Sequence, residues 1–272
     1  MAVSLSPLLF DRALLRRRQA RAFKQGPATF LRDRVAEDLT DRLEAVLRKF
    51  EHVVDIGTPG GLSGFRRIDL PDDESVGLPL TRDSIDLAVS ALAFQLVNDL
   101  PGVLAQISRA LKPDGLLLAA MLGGETLTEL RQSFAAAETE IEGGVSPRVV
   151  PFADLRDVGA LLQRAKFALP VTDVDRITVR YDSAFALMKD LRAMGATNML
   201  IERSRTPLRR ATLLKMAQIY AERFADADGR IRATFDVIWL SAWAPHESQQ
   251  KPLKPGSATA SLADAVRRNT ST

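Results

Sequence analysis

The stretch Val53-Val54-Asp55-Ile56-Gly57-Thr58-Pro59-Gly60-Gly61 decides the fold. Its apolar start reads as a short buried strand, and Thr58-Pro59-Gly60-Gly61 reads as a turn. Many α/β proteins use such a strand and glycine turn to bring backbone N–H groups against a nucleotide, at the carboxyl ends of parallel strands. Gly57-x-x-Gly60-Gly61 does not have dinucleotide spacing, and no Gly-Lys-Ser/Thr follows, so neither of those phosphate-binding fingerprints applies.

Working outward, Ile85 to Ser90 and Leu116 to Met121 are two further buried strands. Between them Asp99 and Pro101 start a helix with Leu104, Ile107 and Leu111 on its apolar face, stopped by Lys112-Pro113-Asp114-Gly115. Upstream, Leu31, Val35, Leu39, Leu43, Val46, Leu47 and Phe50 recur at helical spacing. Downstream of Gly123-Gly124, Thr126 and Glu129 form a capping-box pattern for a helix carrying Leu130, Phe134 and Ala137. Further helices are predicted near 153–166, 183–194 and 208–224. Arg176 to Tyr181 alternates like a half-buried strand, whereas Ile231 to Trp243 is apolar on both faces and so central. Asp226-Ala227-Asp228-Gly229 lacks the later ligands of a calcium loop and reads as a turn. The order predicts an α/β open sheet, mostly parallel, with an antiparallel finish and added helices. The domain plan is a basic arm over 1–30, a main domain over 31–250 with a helical insertion at about 183–226, and an extended tail over 251–272.

Composition narrows the chemistry. The 272 residues are 46% hydrophobic and 26% charged, ordinary globular values. With no cysteine there is no thiol nucleophile, Cys-ligated zinc or disulfide scaffold. The two histidines, His52 and His246, exclude a His-rich metal site, and no metal ligands are assigned. No apolar run approaches the ~20 residues that span a bilayer. From Arg12 to Arg32 seven basic residues stand without an acid. Such a stretch suits a helix touching an acidic partner, a transit peptide or a nucleic-acid arm, and the scarcity of aromatics argues against nucleic acid.

Several segments are more specific. Phe10-Asp11-Arg12, Ser90-Ala91-Leu92, Val97-Asn98-Asp99-Leu100-Pro101 and Leu111-Lys112-Pro113-Asp114-Gly115 resemble the methyltransferase-like assembly factors of respiratory complex I. So do Met121 to Arg131, Ala137 to Gly144 with Ser146-Pro147, Met194 to Asn198, His246 to Gln249 and Gly256-Ser257-Ala258. A more distant likeness is to the O-methyltransferases of biotin synthesis. The resemblance implies a class I S-adenosylmethionine (SAM) methyltransferase fold and a complex I subunit as protein partner. It is a family associated with hydroxylating an arginine. It also implies cofactor contacts at Asp55, Gly57, Gly60, Gly61, Asp69 and Ser90. Substrate or partner contacts are expected at Asn98, Asp99, Glu125, His246 and Glu247, with no residue singled out as catalytic. Only nine residues precede Phe10, too few for a transit peptide, so the expected place is the bacterial cytoplasm rather than the mitochondrial matrix.

Two departures bear on the cofactor. Pro59 removes a backbone N–H where donors are wanted. From Asp55 to Asp86 there are 31 residues, and one βαβ unit takes about 30. At most one reduced crossover fits, with Ile68-Asp69 as a vestige of the second strand and its acid. The expectation is a SAM site degraded or remodelled. Three readings stand: an assembly factor, a working methyltransferase on a protein or small carboxylate, and a non-catalytic binding module.

Overall fold

The computed structural model describes residues 8–73 and 76–250; the predicted tail over 251–272 and Gly256-Ser257-Ala258 lie outside them. Six strands form one sheet: β1 (Val53–Ile56), β2 (Arg66–Ile68), β3 (Ile85–Ala91), β4 (Leu111–Leu122), β5 (Ala168–Tyr181) and β6 (Ile231–Trp243). Their spatial order is β2-β1-β3-β4-β6-β5. The first four pair in parallel, and β6 runs antiparallel to both β4 and β5. The expected α/β sheet with its antiparallel finish is therefore present, and β6 is central as its two apolar faces required.

Two apolar layers cover the sheet. On one face Val54, Ile56, Leu117, Ala119 and Leu240 pack against α3 (Leu100–Ala110) and α5 (Leu155–Arg164), through Leu104, Ile107, Val158 and Leu162. On the other, Val89, Leu118, Val237 and Trp239 meet Val35 and Leu39 of α2 (Phe30–Glu44). A further cluster joins α4 (Thr128–Glu142), α6 (Ala184–Ala193) and α7 (Arg210–Phe224) around Phe134, Leu187 and Tyr220. Burying strands on both faces is what makes β3, β4 and β6 read as continuous apolar runs.

Several elements differ from expectation. Strand β2 is a full member of the sheet, with Val54, Asp55 and Ile56 in register with Arg66, Arg67 and Ile68. Neither the β1–β2 connection (57–65) nor the β2–β3 connection (69–84) contains a helix among the described residues. Helix α2 stops at Glu44, so Val46, Leu47 and Phe50 lie beyond it, and Leu47 is fully exposed. β5 starts at Ala168, eight positions before the alternation at Arg176, because pairing along β6 extends it. The capping box does not form. Leu127 precedes α4 with φ +55°, while Thr126 Oγ1 accepts from the Asp236 N–H at 3.1 Å and Glu129 accepts from the Thr234 N–H at 3.1 Å. Both side chains tie α4 to β6 instead of capping it.

Candidate functional site

At the carboxyl ends of β1 and β3 a cavity of about 620 Å³ opens, within the range of small-molecule sites. Its floor is the glycine loop, through Gly57, Pro59 and Gly60, and the loop after β3, through Leu92, Ala93 and Gln95. Asp69, the residue after β2, stands on its wall beside Arg67. The roof is α1 (Arg12–Gln25), with Leu15, Gln19 and Phe23, and the far wall is the turn Met194-Gly195-Ala196.

Local chemistry shapes the floor. Gly57 has φ +74°, and a Cβ there would lie 2.5 Å from Leu70 Cδ1. Gly60 has φ +81°, and its Cβ would lie 2.7 Å from Arg32 Nη1. Both positions demand glycine for conformation and for closeness of approach. Asp55 is fully buried. Its carboxylate accepts from the Leu62 N–H at 2.8 Å and from the Thr58 hydroxyl, so it folds the glycine loop back on itself rather than facing the cavity. Ser90, equally buried, donates to the Ile56 carbonyl at 2.7 Å. Gly61 packs near Arg67 and Asp55. Of the six expected cofactor residues, Gly57, Gly60 and Asp69 line the cavity, while Asp55, Gly61 and Ser90 support them from behind.

The expected partner residues separate into three places. Asn98 Oδ1 accepts from the N–H groups of Leu9 and Phe10, at 2.8 and 2.7 Å, and its Nδ2 donates to the Phe10 carbonyl. It is a clamp on the N-terminal arm. Asp99 caps α3 through the Gly102 N–H at 2.8 Å. Glu125 is exposed just after β4 and does not line the cavity. His246 and Glu247 are exposed in a turn held against Asp114, with Gln249 Nε2 donating to Asp114 Oδ1 at 3.0 Å. Because β6 is antiparallel, that turn lies at the amino ends of the parallel strands, the sheet edge opposite the cavity. His52 is at this same edge, where its Nδ1 meets Asp86 at 3.1 Å. Among the described residues no group of three or more acids and histidines is placed to hold a metal.

The basic arm is a docked element. Asp11 caps α1 through the Leu14 N–H; that bond and Arg203, 3.3 Å away, hold its carboxyl below the usual range. The Asp11 N–H donates to the Met199 carbonyl, and the Ile201 N–H to the Leu9 carbonyl. Arg12, nearly buried, donates to the Leu96 carbonyl at 3.0 Å, and Arg16 to the Leu70 carbonyl at 2.9 Å. Arg18 donates to the Asn198 carbonyl, and Asn198 Nδ2 to Pro147. These polar ties, together with an apolar cluster of Phe10, Leu15, Leu96, Val150, Met199 and Leu200, fix α1 across the cavity mouth.

Comparison with known proteins places these features. Residues 65–119 match a family model described as a methyltransferase domain. The chain is 36% identical to the arginine-hydroxylase NDUFAF5, mitochondrial, of Danio rerio, across 94% of this chain and 89% of that protein. The protein of that name from Rattus norvegicus is 38% identical, with 96% of this chain and 84% of its own length aligned. A malonyl-[acyl-carrier protein] O-methyltransferase of Laribacter hongkongensis is 41% identical over 66% of this chain and 58% of its own. The chain belongs to the methyltransferase-like complex I assembly factor family, that of arginine-hydroxylase NDUFAF5.

Several motifs that carried the resemblance are scattered in sequence but meet in space. Phe10-Asp11-Arg12, Asn98, Pro147 and Met194 to Asn198 converge on the seam between α1 and the domain. What sequence reasoning missed is that Arg12, Arg16, Arg32, Leu92 and Gln95 line the cavity. The acid-free run from Arg12 to Arg32 carried that signal, but read alone it has no direction.

Proposed function

We propose that this assembly factor holds SAM in the cavity beneath α1 and acts on an arginine-bearing subunit of NADH:quinone oxidoreductase. The observation that carries the reading is the convergence of Gly57, Gly60 and Asp69 on one cavity at the carboxyl ends of β1 and β2. The residues suit the group. Asp69 offers acceptors for a ribose diol, the bare glycines let a ligand approach the backbone, and Arg16, Lys24 and Arg32 oppose an amino-acid carboxylate. Bound there, SAM supplies a sulfonium-activated methyl group. The arginine as target follows the name of the relatives, and the cysteine-free chain suits a reducing compartment such as the bacterial cytoplasm.

A second reading, methyl transfer to a small carboxylate, is favoured by the excess of cations over acids on the cavity wall. One experiment separates them and a second tests the cofactor that they share. Deleting the chain from its host removes complex I activity under the first reading and leaves it intact under the second. Calorimetric titration of SAM shows saturable binding that weakens at least about tenfold in Asp69→Ala; no heat of binding sinks the cofactor assignment in both.

A further inference from the structure

Pro59 takes a backbone N–H away from the glycine loop, at the place where a nucleotide cofactor needs donors. A cation stands over that gap. Arg32, in the first turn of α2, reaches across so that Nη1 lies 3.3 Å from the Pro59 carbonyl. The same nitrogen lies 2.7 Å from where a Cβ on Gly60 would be, so the missing side chain is what admits the guanidinium. Its other edge is held by Asp33, with Nη2 at 2.7 Å and Nε at 3.1 Å from Oδ1, which fixes the plane of the fork. Three of the other basic groups on the wall are engaged differently, and the fourth, Lys24, stands in the last turn of α1. Arg12 and Arg16 donate to the carbonyls of Leu96 and Leu70, with Arg16 also on Asp72, and Arg67 is paired with Asp69.

We infer that Arg32 replaces the donor lost at Pro59 and is the group that recognises the amino-acid carboxylate of the cofactor, with Gly60 serving to seat it. The inference rests on the SAM reading above and adds the residue that sets specificity for the carboxylate. An arginine presents several N–H donors in a rigid fork, and a carboxylate takes two of them at once. Arg32 and Gly60 then act as a unit: a side chain at 60 moves the guanidinium off the loop and has the same effect as removing it.

The test compares SAM with decarboxylated SAM, which differs by the carboxylate alone, titrated into the full chain and into Arg32→Met and Arg32→Lys. The wild type prefers SAM by about 10- to 100-fold, the range of a charge-assisted contact. In Arg32→Met the preference falls to near unity while decarboxylated SAM binds as before, which also shows that the variant is folded. Arg32→Lys keeps part of the preference, as a point charge without the fork. Gly60→Ala lowers the preference, and combining it with Arg32→Met lowers it no further. An Arg32→Met protein that keeps the full preference, or a wild type with none, overturns the assignment while leaving SAM binding intact. If neither ligand binds the wild type, the SAM reading itself fails and this inference with it.

Discussion

The two halves of the sheet are built on different principles. β4, β5 and β6 span Leu111–Leu122, Ala168–Tyr181 and Ile231–Trp243, paired along most of their lengths. β1 and β2 cover only Val53–Ile56 and Arg66–Ile68, and no helix of their own connections covers them among the described residues. The long half is held by buried apolar faces and by ion pairs such as Arg176 on the nearly buried Asp236 at 2.7 Å. The short half holds the cavity, and it is closed from outside by α1, α2 and the Met194–Ala196 turn. A ligand-sized cavity therefore persists where the sheet has been cut back, because other segments supply the missing wall.

The sharpest contrast comes from breaking one interaction in each half. On α4, beside the long half, Glu138 is fully buried and bonded to Arg148 Nε at 2.6 Å and to the Ser146 N–H at 2.7 Å. Arg148→Ala leaves that carboxylate without its counter-ion, which typically costs about 3–5 kcal/mol. Urea unfolding should register the loss, with SAM affinity measured on the folded fraction unchanged. In the short half, Gly57→Val combines a β-branched residue at φ +74° with a collision against Leu70. Its expected cost is smaller, about 2–4 kcal/mol, but SAM binding should vanish. A Gly57→Val protein that still binds SAM would mean the ligand does not touch the glycine loop.

The amino-end edge of the sheet carries a charged cluster of Asp86, Lys112 and His52. Against burial, which raises it, bonds from Lys112, from His52 and from the Glu51 N–H hold the Asp86 carboxyl well below the usual range. A carboxyl depressed by folding adds stability that is complete above its unfolded pKa of about 3.9 and is lost as pH falls through the folded value. Wild-type stability should thus drop more steeply between about pH 4 and pH 2 than that of Asp86→Asn. Cofactor affinity above pH 5 should be equal in the two, because Asp86 lies across the sheet from the cavity. Parallel acid limbs would show that the Lys112–Asp86–His52 cluster contributes nothing.

Much of the sheet was legible because burial on both faces writes a continuous apolar run: Ile85–Ser90, Leu116–Met121 and Ile231–Trp243 all read correctly as strands. β2 was legible only as Ile68-Asp69, since Arg66 and Arg67 are exposed and their pairing with β1 leaves no periodic mark. The capping box misled because Thr126 and Glu129 found partners on β6, more than a hundred residues away, and tertiary bonding overrode a local pattern. The cavity floor could be found from the glycine turn. Its roof could not, because nothing in a basic amphipathic helix says which surface it crosses. His246 was displaced from the site by strand direction alone, which an antiparallel β6 reverses.

The central claim is that the N-terminal arm, latched by Asn98, completes the cofactor site that the shortened crossovers leave open. Calorimetric titration of SAM into the wild type and Asn98→Ala tests it directly. Removing the three Asn98 bonds to Leu9 and Phe10 costs the latch about 1–3 kcal/mol. The expected result is SAM affinity at least about tenfold weaker in Asn98→Ala, with a thermal unfolding transition that stays cooperative. Wild-type affinity in a folded Asn98→Ala protein would contradict the account.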